Sequence, residues 1–138
     1  MKNNSLNIFE YLEKSVINNS KLIFKEKKEK FKLDSIFKIV EEFMIDKKLI
    51  CYGGTALNNI LPKEKQFYDY DYNSPDYDFF SPNAIEDVKE LALIFKKKKY
   101  KNILAKSAVH VGTFKLYVNY IQIADITQIN NELYEKLL

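Results

Sequence analysis

The chain has one cysteine, three glycines, three prolines, and neither tryptophan nor arginine. Each shortage excludes something. Cys51 alone cannot close an internal disulfide and lies in an apolar run, so the sequence carries no mark of an oxidising compartment. No apolar stretch approaches the ~20 residues that cross a bilayer, and Met1-Lys2-Asn3-Asn4 leads into no signal-type segment. The expectation is a soluble, intracellular protein with no use for a membrane. Without arginine, all 22 basic residues are lysine, which meets phosphate as a point charge and lacks the bidentate fork. That bias, with abundant Asn, Ile and Tyr, reads as the mark of an A+T-rich genome and identifies no function.

What is present is a globular balance. Hydrophobic residues make up 46% and charged residues 30% of 138 residues, with a mild net charge of +3, enough for one domain with a real core. From Leu6 to Lys48 apolar residues recur at helical spacing: Ile8, Phe9, Leu12 and Val16, then Phe31, Leu33, Ile36, Phe37, Ile39, Val40, Phe43 and Met44. Two helices are predicted, the mixed-charge run Lys25–Lys30 between them reading as a solvated helix face or a linker, with Asp34 as N-cap of the second. This gives an N-terminal helical segment at 1–48 ahead of a core at 49–138.

Leu49-Ile50-Cys51-Tyr52, Gly53-Gly54 and Thr55–Leu61 read as strand, glycine turn and short helix. The stretch from Pro62 to Ser74 has no clear period and reads as a loop. Asp76–Phe80 is a strand candidate, and Ala84–Lys98 a helix with Ile85, Val88, Leu91, Ala92 and Phe95 on its apolar face. The runs Ile103–Val111, Thr113–Val118 and Ile121–Thr127 are β-branched and aromatic, a meander of three strands. The sum is an α+β fold, a mixed sheet packed against helices.

Three features carry chemistry. Gly53-Gly54-Thr55 joins strand to helix, where glycines let a phosphate approach the backbone and free N–H groups favour an anion; a plain tight turn uses the same residues. Asp76-Tyr77-Asp78 enters a strand, so both carboxylates point to one face at ~7 Å separation while Tyr77 and Phe79 turn to the core. Such a pair can bridge two Mg²⁺ ions, or merely decorate an exposed strand edge with charge. Asp125 sits amid Ile123, Ala124 and Ile126, where a charge must be paired, capped or metal-bound. The tripeptide Asp-Tyr-Asp also occurs at Asp69-Tyr70-Asp71. That copy runs into Tyr72-Asn73-Ser74-Pro75, a turn signal, whereas Asp78 runs into Phe79-Phe80, which can anchor a rigid strand.

The strings Tyr52-Gly53-Gly54-Thr55-Ala56-Leu57-Asn58, Pro75-Asp76-Tyr77-Asp78-Phe79-Phe80-Ser81-Pro82-Asn83-Ala84, His110-Val111-Gly112-Thr113-Phe114-Lys115 and Ile123-Ala124-Asp125-Ile126-Thr127 together resemble the poly(A) polymerase catalytic subunits of large cytoplasmic DNA viruses. These belong to the DNA polymerase beta-like nucleotidyltransferase superfamily. The resemblance runs from about Leu49 to Thr127 and implies a nucleotidyltransferase-like fold and template-independent addition of AMP from ATP to an RNA 3′ end. By it, Gly53 and Gly54, with Thr55, hold the triphosphate of ATP. Asp76, Asp78 and Asp125 bind two ions of Mg²⁺ or Mn²⁺ and are the catalytic carboxylates. Polymerases of this kind continue into further domains that close over ATP and hold RNA, so processive tailing is expected to need more than these 138 residues.

Lys115, alternating with Phe114 and Leu116, either reaches the triphosphate or faces solvent. His110 stands at a family position near the nucleotide, or is a partly buried strand histidine without such duty. Lys96-Lys97-Lys98-Lys99 with Lys101 offers RNA phosphate contacts or, more simply, a solvated helix end. A minimal transferase acting on a protein or small molecule, and a non-catalytic nucleotide- or RNA-binding fragment, are the competing functions. A second copy of the chain, or a polymerase accessory subunit, is the expected protein partner, and a viral origin implies host cytoplasm or virion.

Overall fold

The computed structural model describes residues 3–67, 75 and 77–138. Helices α1 (Asn3–Phe31) and α2 (Leu33–Asp46) lead into strand β1 (Ile50–Tyr52) and helix α3 (Gly53–Ile60), followed by a single 3-10 turn at Lys63–Lys65. Strand β2 (Asp78–Ser81), helix α4 (Ala84–Lys97), strands β3 (Leu104–Ser107), β4 (Thr113–Val118) and β5 (Ile121–Gln128), and helix α5 (Asn131–Leu137) complete the order. The five strands form one sheet in the order β1-β2-β5-β4-β3. β2 and β5 run parallel at its centre, and the outer pairings are antiparallel.

One face of this sheet is covered. Tyr77 just before β2, and Phe79 and Ser81 on it, are buried while Asp78 and Phe80 are not, the period-2 alternation of a half-covered strand. Phe79, Leu116, Val118, Ala124 and Ile126 meet Ile36, Val40 and Phe43 of α2 and Val88, Leu91 and Phe95 of α4 in one apolar cluster. The polar groups on this side are matched. The Tyr77 hydroxyl donates to Glu41 of α2, and the Ser81 hydroxyl donates to the buried Asp87 of α4. Lys47, just past α2, lies 3.9 Å from Asp87 and 2.5 Å from Glu90, tying the two helices together.

Helix α4 begins where β5 supplies its cap. The Gln128 Oε1 accepts from Ala84 N–H at 2.8 Å while its Nε2 donates to the Pro82 and Ile129 carbonyls. This satisfies one of the helix's orphan donors from a neighbouring strand. Gln128→Ala is expected to lower stability by about 1 kcal/mol, read as a shift in urea midpoint at unchanged slope.

Several expectations need correction. Ile8, Phe9, Leu12 and Val16 do have helical spacing, yet they are 59%, 69%, 52% and 64% exposed. α1 packs on the body through Phe24 and Phe31 near its C-terminal end, and of the two readings of Lys25–Lys30 the solvated helix face holds, since the run lies within α1. Asp34 is not an N-cap. The chain turns at Lys32 in a left-handed conformation (φ 52°), and Asp34 falls in the first turn of α2, 3.5 Å from Lys28. Ile85 lies at the exposed edge of α4, at 49%. The strand expected to reach Val111 ends at Ser107, because Thr113 N–H turns back to the His110 carbonyl and Gly112 adopts φ 85°. His110 is therefore on an exposed hairpin turn and not on a strand. Lys96 to Lys99 are exposed at the end of α4.

Candidate active site

The uncovered face carries the polar residues. One line of paired positions crosses all five strands: Tyr52 opposite Asp78, Asp78 opposite Asp125, Asp125 opposite Lys115, and Lys115 opposite Lys106. Neighbouring strands lie about 4.8 Å apart, so Asp78 and Asp125 are brought side by side from segments distant in sequence. The register is fixed by the backbone, with Asp125 N–H donating to the Tyr77 carbonyl at 2.9 Å.

Asp125 reaches this face through an irregularity. Strict alternation along Ile121–Asp125 puts Asp125 on the same side as Ile123, in the core. Instead Leu116 pairs with Ala124 and Tyr117 with Gln122, which leaves Ile123 as an extra residue in β5. Ile123 and Ala124 are consecutively buried, and the phase of the strand flips. The charge anticipated in an apolar setting is thus turned out of it. Its carboxylate is engaged at both oxygens, with Lys115 Nζ 2.8 Å from Oδ2 and Gln122 Nε2 2.7 Å from Oδ1.

The glycine turn abuts the other carboxylate. Gly53 has φ 77°, and a Cβ there would lie 2.7 Å from Asp78 Oδ2. A side chain at 53 would therefore be strained in the backbone and would also push the carboxylate aside. Gly53→Ala is expected to cost roughly 1–3 kcal/mol, measured by thermal or urea unfolding. Tyr52, in the N-cap position of α3, is extended and makes no side-chain capping bond. Thr55 is fully buried.

Next to the carboxylates lies a hydroxyl chain. The Tyr52 hydroxyl is 3.0 Å from Thr127 Oγ1, which is 2.9 Å from Thr113 Oγ1, and the Tyr52 ring stacks on Phe80 at 3.9 Å. Behind the site, burial raises the Cys51 thiol above its usual pKa, and the negative charge of Asp78 raises it further. Cys51 is accordingly a thiol held protonated, and it makes a poor nucleophile.

Of the residues singled out in the sequence, Gly53, Asp78, Asp125 and Lys115 are brought together. Asp76, and the competing Asp69 and Asp71, lie outside the described residues. Gln122, Thr113 and Thr127 were missed. The hydroxyls lie two positions from Lys115 and Asp125 on their strands, so alternation alone could have found them, whereas Gln122 depends on the bulge.

The two carboxylates form an all-oxygen donor set suited to a hard divalent cation. The Lys115 ammonium holds Asp125 Oδ2 and would have to give way to a cation, while Gly53 leaves the space beside Asp78 that a Cβ would fill. Among the described residues no group of three or more potential metal ligands is gathered, so the donors on this face are these two carboxylates, whose oxygen chemistry is compatible with a divalent metal.

Among the described residues no helix is long and apolar enough to cross a membrane. The sequence profile of the poly(A) polymerase catalytic subunit family matches residues 38–138. A protein of African swine fever virus (isolate Tick/Malawi/Lil 20-1/1983), named as a poly(A) polymerase catalytic subunit, is 32% identical over 105 residues, covering 76% of this chain and 22% of its own length. An Acanthamoeba polyphaga mimivirus protein of the same name is 34% identical over 97 residues, 67% of this chain and 16% of its own. The crystal structure of the Megavirus polyadenylate synthase superposes with a TM-score of 0.83 at 28% identity, covering 96% of this chain and 28% of that one. The chain thus spans less than a third of the length of these relatives. With the glycine turn and the paired aspartates on a mixed sheet inside the matched residues, the chain belongs to the poly(A) polymerase catalytic subunit family.

Proposed function

We propose that the chain is the catalytic core of a metal-dependent nucleotidyltransferase that adds AMP from ATP to RNA 3′ ends without a template. The observation that carries this reading is the in-register pair Asp78 and Asp125 on the open face of the sheet, with Gly53 pressed against Asp78. Asp78 and Asp125, with Asp76, would hold two Mg²⁺ or Mn²⁺ ions. When bound, such ions neutralise the triphosphate and lower the pKa of an attacking hydroxyl.

The chain's own residues bind and orient. The backbone of Gly53 and Gly54 at the start of α3 receives triphosphate oxygens, since N–H groups at a helix start favour an anion and no Cβ at Gly53 obstructs its approach. Lys115, already on the open face, adds positive charge near the phosphates. Asp125 stands on the side of the incoming 3′-hydroxyl, which attacks the α-phosphorus; the bond from that phosphorus to the bridging oxygen breaks, and pyrophosphate leaves. Because a methyl at 53 would shift the Asp78 carboxylate, Gly53→Ala should lose more kcat/KM than its change in stability explains. The viral relatives make host cytoplasm or virion the setting we infer.

The test is incubation of the 138-residue chain with Mg²⁺, α-labelled ATP and a short RNA. Label should enter an RNA ending in a free 3′-hydroxyl and not one ending in a 3′-deoxynucleotide. Label that enters neither RNA, or both equally, overturns the reading.

A further inference from the structure

The two donors on Asp125 are not equivalent. Lys115 comes from the neighbouring strand on a long flexible stem, its side chain 28% exposed, whereas the Asp125 side chain is 13% exposed. Gln122 comes from the same strand three residues earlier. In an unbroken strand that spacing puts two side chains on opposite faces. They meet only because Ile123 is the extra residue of the bulge, so that Gln122 pairs with Tyr117 while Asp125 pairs with Lys115. The bulge thus does two things at once: it brings Asp125 out of the core and sets an amide donor 2.7 Å from its Oδ1.

A carboxylate with both oxygens free can rotate and offer either one. With Oδ1 tied to an amide on its own strand, it is restrained, and Oδ2 is left to an exchangeable ammonium. We propose that Gln122 is a positioning residue for Asp125: it fixes Oδ1 so that Oδ2 is the oxygen given to a divalent cation, with Lys115 as the resident counter-ion that yields when the cation arrives. Gln122 touches neither substrate nor cation; it acts through the carboxylate. Lys115 holds the negative charge of Asp125 in check before loading, and once displaced it is free to turn to phosphate. This inference rests on the reading of Asp125 as a metal ligand.

The two partners of one carboxylate therefore have opposite expected effects, which a merely structural role would not produce. Mn²⁺ binding to the nucleotide-free chain, followed by the loss of the free-ion electron spin resonance signal, reads them directly. Gln122→Met keeps the side chain's length and removes the donor, and it should weaken Mn²⁺ binding about tenfold or more, the usual effect of losing an outer-shell partner. Lys115→Met should tighten it severalfold by removing the competing charge. Circular dichroism checks that each variant is folded; Gln122→Asn, one methylene too short to reach, replaces Gln122→Met if that variant does not fold. Wild-type affinity in the Gln122 variant, or weakened binding in both, overturns the inference. Asp125→Asn separates it from the reading beneath it. If that variant loses Mn²⁺ affinity while Gln122→Met does not, only the role of Gln122 falls; if Asp125→Asn binds as the wild type does, the metal assignment of Asp125 falls and this inference with it.

Discussion

Asp78→Asn and Asp125→Asn, made separately, should each reduce nucleotidyl transfer by several orders of magnitude while leaving the far-ultraviolet circular dichroism unchanged. Each substitution is nearly isosteric and removes one negative charge from a pair that β2 and β5 hold in register. In a two-metal site that charge contributes transition-state stabilisation that no neighbour replaces. The fold should tolerate both changes, since both side chains lie on the open face and outside the apolar cluster. Asp76→Asn carries the same expectation from its place in the Asp-Tyr-Asp string. Steady-state transfer on an RNA primer measures all three, and variants that turn over like the wild type would remove these residues from the chemistry.

The largest effect on stability is expected one residue away. Phe79 is fully buried in β2, opposite Cys51 on one side and Ile126 on the other, with its ring in the cluster shared by α2 and α4. Phe79→Ala deletes a ring from the centre of that cluster and leaves a cavity that the surrounding sheet cannot easily collapse. The cost is about 3–5 kcal/mol, which for a domain of this size lowers the melting temperature by roughly 10–20 °C. Calorimetry or urea unfolding gives the number. A loss below about 1 kcal/mol would mean that β2 is not packed as described.

The same strand illustrates what sequence can and cannot convey. Alternation around Asp78 was legible because Tyr77 and Phe79 are large and apolar, and they are buried at 5% and 0% exposure. The α2 face at Ile36, Phe37, Val40 and Phe43 was legible for a similar reason: its period matches a helix, and it has a sheet to cover. α1 shows the limit of that reasoning. Its period is as good, but a period states only that one face is apolar, and the part of α1 around Phe9 and Leu12 remains exposed. The short α5 went unread although Asn130 caps it, accepting from Leu133 N–H at 2.7 Å.

At the site, Asp125 was recognised as a charge in an apolar string, yet its location was not legible. A bulge adds one residue without any glycine or proline to announce it, and here it moves Asp125 from the core phase to the open face and brings Gln122 beside it. The pairing of Asp125 with Asp78 is likewise a matter of register between strands separated by α4, β3 and β4. Local pattern cannot supply that.

The most direct measurement of the central claim is isothermal titration of the chain with ATP, with and without Mg²⁺. Wild type and the double variant Asp69→Asn with Asp71→Asn should bind ATP only when Mg²⁺ is present, and the double variant Asp76→Asn with Asp78→Asn should lose that binding. Binding abolished by the Asp69 and Asp71 changes but kept by the Asp76 and Asp78 changes, or a wild type whose ATP binding is indifferent to Mg²⁺, would contradict it.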